Sequence, residues 1–336
     1  MATTLEKRES RTSPVRRRAY RWGYVLVALI VLVVGALVYL LFDEDPVPLP
    51  EGYWTAALPE GAPVDPRSDE FIAHILEHSN TNFIRLAGAT ADGKWGNPIY
   101  EAGSGDPAHE IRNSCSYSQP PEFRSVRIPA GARPDPSSDS SMTVYDLDKG
   151  VVYGFYRTRY DEAADEWSSC GGAVYYLDSN GLAGSLDKSD EPRNFGHRGV
   201  PPFTYAVPYD EIENGSIDRV LKIAVKVASE DHVWPMTGSD GDSTDEFAAP
   251  EGARLRLKPS IDLSEMDLTD PQRTIATALQ TYGVVIGDQS GSTTVLKLEN
   301  TVAEGRGQLW TGLLEPDSLS MFELDDFEVV RLGYGR

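Results

Sequence analysis

Hydrophobic positions run unbroken from Trp22 to Phe42, WGYVLVALIVLVVGALVYLLF, 21 residues without a charge. At about 1.5 Å rise per residue a helix of this length crosses a hydrocarbon core of about 30 Å. No polar face interrupts the run, so it predicts a transmembrane helix over 22–42 rather than a buried core helix. The rival reading is a cleaved signal peptide, with an apolar region of about 7 to 15 residues before a small-x-small site. Here the run is longer and ends in the bulky Tyr39, Leu40, Leu41 and Phe42. The tail at 1–21 carries Lys7, Arg8, Arg11, Arg16, Arg17, Arg18 and Arg21 against Glu6 and Glu9, while Asp43, Glu44 and Asp45 follow the apolar run. This asymmetry predicts a cytoplasmic N-terminus and an extracytoplasmic remainder, a single-pass signal anchor in the cell membrane.

Beyond the membrane, residues 43–53 are rich in proline and acid, which predicts a stiff extended spacer. From 54 to 336 the pattern alternates between short strands and a few helices. SDEFIAHILEH, 68–78, sets Phe71, Ile72, Ile75 and Leu76 on one helical side, with Ser68 as cap and His74 and His78 exposed at i, i+4. MTVYDL, the turn Asp148-Lys149-Gly150 and VVYGFYRTRY read as a hairpin. GGAVYYLD follows as another apolar strand. The stretch 180–206 is long and aperiodic, a kind of loop that often carries function. YDEIENG reads as a short helical turn. RVLKIAVKV alternates Leu221, Ile223, Val225 and Val227 with Lys222, Ala224 and Lys226, the signature of a half-buried strand. ARLRLK repeats that alternation and turns Arg254, Arg256 and Lys258 the other way. Residues 270–283 form a helix with Asp270 as N-cap, Pro271 in the first turn and Gly283 as stop. GVVIGD and TTVLKL then form a hairpin across Gln289-Ser290-Gly291; PDSLSMF reads as helical and DFEVVRL as a strand. The whole predicts a mainly β fold, an antiparallel, jelly-roll-like β-sandwich with a few short helices.

Charge changes the picture of partners. The chain carries −21, and its basic tail contributes seven positive against two negative charges, so the remainder carries about −26. Such a surface repels nucleic-acid phosphates and excludes a nucleic-acid partner. Its two cysteines, Cys115 and Cys170, both lie on the oxidising side, where a disulfide would contribute about 4 kcal/mol in the chain-entropy account; two free buried thiols, or a reactive thiol, are the alternatives.

Outside a cell, glycans are the abundant substrates, and their hydrolysis needs two carboxylates about 5 to 10 Å apart. Asp178, Asp210, Glu211 and Asp288 stand near strand ends or turns as candidates, as does Asp146, although each is also a plausible cap or solvated residue in so acidic a chain. Asn180, His197 and Trp234 are candidate binding groups, and Arg254 and Arg256 candidate holders of an anionic sugar or partners of neighbouring carboxylates. Trp54, Trp95, Trp167 and Trp310 offer further faces that serve either sugars or the core. No GxSxG occurs, and neither cysteine neighbours a histidine. The acidic stretch SDGDSTDE offers Asp240, Asp242 and Asp245 as calcium ligands, without the full EF-hand spacing or its glutamate; no other cofactor is implied.

The ordered series GAPVDPRSDEFI, GGAVYYLDSNGL, YDEIENGSIDRVL, HVWP, PEGARLRLKPSIDL, IATALQTYGVVIGD and DFEVV resembles an uncharacterised family of secreted or surface-displayed bacterial β-rich proteins, over roughly residues 54 to 330. The resemblance implies one continuous β-rich domain in an extracytoplasmic setting and no particular reaction. It also implies three histidines where this chain has Ser141, Arg219 and Gly238, a set that would be lost here if the three converge. The resulting expectation is a membrane-tethered module that binds cell-wall or extracellular glycan, or a surface partner, without catalysis. The alternative is a carbohydrate-active enzyme, a glycoside hydrolase or polysaccharide lyase.

Overall fold

The computed structural model describes residues 47–183 and 193–336; the tail, the apolar segment 22–42, most of the spacer and part of the 180–206 loop lie outside them. Among the described residues no helix is long and apolar enough to cross a membrane. Leu49–Arg336 form one compact unit. The end of the spacer belongs to it, because Tyr53 packs edge-on against Trp54 and Trp234 and lies under the Arg254 guanidinium.

The protein is β-rich with few helices. In chain order, the strands of its two larger sheets are β1 (Arg85–Ala87), β2 (Ile99–Ala102), β3 (Met142–Asp146), β4 (Val151–Tyr156), β5 (Gly171–Tyr176), β6 (Phe195–Gly196), β7 (Leu221–Val225), β8 (Arg254–Leu257), β9 (Val284–Gln289), β10 (Val295–Lys297) and β11 (Phe327–Val329). The helices are α1 (Ser68–His78), α2 (Tyr209–Glu213) and α3 (Asp270–Thr281). One sheet has the order β6-β5-β4-β3-β2, the other β1-β10-β7-β9-β8-β11.

In the first sheet β3 and β4 pair antiparallel across the expected turn, where Gly150 takes the left-handed φ of 61° that a side chain would resist. Met142, Val144, Tyr153 and Phe155 join Phe123 and Trp167 in its core. Beside it, Ile111–Asn113, Glu166–Ser169 and Arg159–Asp161 form a small sheet. The disulfide between Cys115 and Cys170 ties this region to the start of β5.

The strand pairing corrects three expectations. β9 and β10 do not pair with each other: β7 lies between them, parallel to β9 and antiparallel to β10. Among the described residues four strand pairs are parallel, β1 with β10, β2 with β3, β7 with β9 and Ile111–Asn113 with Glu166–Ser169, so the architecture is mixed rather than an antiparallel jelly roll. Nor is β7 half-buried. Leu221, Ile223 and Val225 enter the large core with Phe71, Ile75, Leu255, Ile275, Leu279 and Trp310, while Lys222 on the other side is only 5% exposed. Burying each such aliphatic side chain stabilises the fold by about 1.5–3 kcal/mol.

The helices cover this sheet, α3 against β8 and α1 against β11. α3 starts one residue earlier than its aspartate suggests: Thr269 is the N-cap and closes a capping box with Gln272, and Gly283 ends it at φ 71°. In α1, Ser68 caps nothing; its hydroxyl accepts the Val329 amide of β11 instead. His74 is buried, not exposed, with its ring 4.3 Å from that of His78. PDSLSMF forms turns rather than a helix.

Candidate functional site

A cavity of about 620 Å³ opens where the two sheets meet. One sheet contributes Gly154 to Tyr156 of β4, Gly171 and Gly172 of β5, and β6. The other contributes Lys222 of β7, Asp288 and Gln289 of β9, and Lys297 of β10. Its size suits a small ligand or a short stretch of a polymer, since such sites run about 300–1,000 Å³.

The wall turns at Gly196-His197-Arg198-Gly199, four consecutive residues with positive φ: 98°, 42°, 53° and 97°. For His197 and Arg198 this costs of order 1–3 kcal/mol each, a cost that persists only where surrounding contacts hold the backbone. Those contacts are present. The Val200 amide donates to the His197 carbonyl at 3.0 Å and the Thr237 amide to the Arg198 carbonyl at 2.7 Å. The Arg198 side chain donates to Glu251 at 3.1 Å and to Asp288 at 3.2 Å, and lies 3.5 Å from Asp240.

Charge inside the cavity is balanced pair by pair. Lys222 donates to Asp288 at 3.0 Å and to His197 Nε2 at 3.3 Å, which places the imidazole proton on Nδ1. Lys297 pairs with Asp139 at 3.1 Å. Burial, with Lys222 and Arg198 beside it, holds the His197 pKa well below the usual histidine range, so the ring is neutral. Although burial opposes it, the cations Lys222, His197 when charged, Arg198 and Lys297 keep the Asp288 carboxylate ionised far below its ordinary value. Asp240, whose side chain is still 40% exposed, goes the other way: partial burial, a hydrogen bond with Glu251 and the charge of Asp288 push it up to about 8.

Among the described residues two polar atoms in the wall are buried without a partner, Asn97 Oδ1 and Ser141 Oγ. Asn97 is 1% exposed and spends its amide protons on Thr143 and the Pro98 carbonyl. At the mouth stand three exposed aromatic rings, Tyr117, Tyr156 and Phe195. Tyr205 closes the inner side, edge-on to His197 and under Lys222.

Of the candidates read from the sequence, the cavity gathers His197, Asp240 and Asp288. Asp178 pairs with Arg193 and Asp210 with Arg306 on the exposed surface. Glu211 is bound in a part-buried ion pair, accepting from Arg219 at 2.7 Å; Arg219 also donates to the Phe203 and Ala206 carbonyls and so fixes the segment that carries Tyr205. Asn180 lies outside the cavity wall, and its side chain accepts the Leu182 amide. Trp234 borders a separate cavity of about 360 Å³ with His232 and Arg336. Arg254 donates to the Tyr282 and Ala56 carbonyls, and Arg256 pairs with Glu328, so neither is available to an anionic sugar. Asp242 and Asp245 do not join Asp240 in a cage: Asp245 caps the Phe247 amide and Asp242 meets Gln289, and no group of three or more metal-binding side chains occurs among the described residues. Ser141 lines the cavity and Gly238 adjoins Arg198, whereas Arg219 sits in its own pair outside, so the three histidine positions do not form one cluster.

Arg198, Lys222, Lys297, Asp139, Asn97 and Glu251 were not legible as site residues. Lys222 reads as the polar side of a half-buried strand. The one available signal was the length of the loop holding Arg198.

Comparison of the chain with protein-family models, with curated proteins and with solved structures found no match.

Proposed function

We propose that this protein binds a neutral, polyhydroxylated ligand, a segment of cell-wall or extracellular glycan, in the cavity between its two sheets. In this reading residues 22–42 and the basic tail hold the domain at the outer face of the cell membrane. The observation that carries it is the pairing of three exposed aromatic rings at the mouth with two unpartnered buried polar atoms behind them. Sugars bring both complements: apolar ring faces that stack on aromatic side chains, and hydroxyls that donate to Asn97 Oδ1 and pair with Ser141 Oγ. Leaving such buried groups unmet costs about 1–3 kcal/mol each, so a ligand hydroxyl that meets them is favoured over one that does not. Neutrality follows from the ion pairs, because every cation in the wall already faces a carboxylate.

A glycan array probed with the full chain, in a detergent without a sugar headgroup, tests this. Binding to a defined glycan is expected, weakened about tenfold or more in Tyr156→Ala and Phe195→Ala. Absence of binding to any glycan, or binding unchanged in both variants, overturns the reading.

A further inference from the structure

We propose that the cavity also cleaves the glycan it holds, as a glycoside hydrolase in which Asp240 protonates the glycosidic oxygen and Asp288 is the ionised carboxylate that stabilises the sugar cation. This rests on the glycan reading above and goes beyond it, since binding alone requires neither group.

The geometry comes first. Both carboxyl groups line the same cavity, and both approach the same nitrogen, Arg198 Nη2, at 3.5 Å and 3.2 Å. Their nearest oxygens therefore lie no more than roughly 7 Å apart, an upper limit that admits the separations carboxylate pairs use around a scissile bond. The pair is also held rigidly. Asp240 Oδ1 accepts the Gln289 amide at 3.0 Å, its own amide donates to Glu251 at 3.1 Å, and Asp288 is gripped by Lys222 and Arg198. The unpartnered Asn97 Oδ1 and Ser141 Oγ, more than nine-tenths buried in the same wall, supply an independent sign of a ligand there.

The two environments divide the labour. Partial burial, a hydrogen bond with Glu251 and the charge of Asp288 outweigh the one cation, Arg198, and keep the proton on Asp240 near neutral pH. Asp288 faces Lys222, Arg198 and Lys297 and stays charged. Environments that drive two carboxyl groups apart in this way are what acid-assisted cleavage requires. Both Asp288 oxygens already accept from cations, Oδ2 from Lys222 at 3.0 Å and Oδ1 from Arg198 at 3.2 Å, which makes it an electrostatic partner of the developing cation rather than the base. In the step itself the bond from the anomeric carbon to the leaving oxygen breaks as the Asp240 proton passes to that oxygen. A water then bonds to the anomeric carbon and returns its extra proton to Asp240. One water is consumed, one reducing end and one alcohol are formed, and no oxidant or reductant takes part.

The test uses the full chain, the glycans it binds on the array, and 2,4-dinitrophenyl glycosides of the corresponding sugars. Wild type is expected to release reducing ends from the natural glycan. Asp240→Asn, which mimics the protonated form and keeps Oδ1 for the Gln289 amide, is expected to lower that turnover about hundredfold or more. On the dinitrophenyl substrate, whose leaving group needs no proton, the same variant is expected to lose less than tenfold. A merely structural role for Asp240 would depress both substrates alike. Binding without release of reducing ends in wild type overturns hydrolysis and leaves the glycan reading standing, and so does equal loss on the two substrates. Failure to bind any glycan removes the binding reading and the hydrolysis with it.

Discussion

At the scale of single residues, the molecule stores protons where its fold would otherwise force carboxylates together. Partial burial beside Glu251 and Asp288 pushes Asp240 up to about 8, and burial against Glu299 pushes Glu304 up to about 9. In the unfolded chain both release their protons near pH 4. Each therefore contributes stability that is fully present below about pH 4 and is lost as pH rises through its folded value. Asp288 has the opposite sign: its contribution is present above about pH 4 and lost on acidification. Above about pH 7, where the neutral His197 has stopped adding stability with rising pH, the thermal midpoint should thus fall until about pH 9, and Asp240→Asn and Glu304→Gln should each flatten that fall. Midpoints measured across this range that rise for wild type, or fall as steeply in both variants, would contradict the assignment. Little of this was visible in the sequence. Asp288 stood out because it ends an apolar strand, but Glu251 and Lys222 gain their roles from neighbours distant in the chain, and an acidic composition hides one useful carboxylate among many.

Elements were legible where their pattern is local. α3 announces itself by proline, apolar spacing and a terminal glycine, and the β3–β4 hairpin by its turn. The placement of β7 between β9 and β10 was not, because β9 and β10 are joined by a turn that suits a hairpin and only distant packing separates them. The polar faces of β7 and β8 misled for a related reason: other parts of the fold cover them, so alternation marks an interior of ion pairs and hydrogen bonds to carbonyls rather than solvent. β4 also carries a constraint that alternation does not reveal. A Cβ on Gly154 would come within 2.5 Å of the Tyr205 ring, so the glycine is the seat of that ring. Gly154→Ala should displace Tyr205 from His197 and weaken ligand binding at least tenfold, with a secondary-structure spectrum like that of wild type. Unaltered affinity on the same array would show that Tyr205 does not shape the cavity.

For the whole molecule, the two sheets share the cavity, and its ion pairs cross from one to the other: Arg198 follows β6, while its partner Asp288 is on β9. Such bridges couple the sheets, so amides of β4 and β9 should exchange with solvent through one common opening. Native-state hydrogen exchange that reports separate opening free energies for β4 and β9 would refute this coupling.

The pairing of β1 with β10 sets a timetable. Arg85 meets Val295, and β7 meets β9, only after almost the whole chain exists, whereas β3 and β4 can join as soon as they are made. A chain delivered N-terminus first therefore completes one sheet early and carries the strands of the other unclosed, with the apolar side of α1 waiting for β11 to arrive. During that interval the unfinished half is the part that needs shelter, and the last tenth of the polypeptide is what ends the wait.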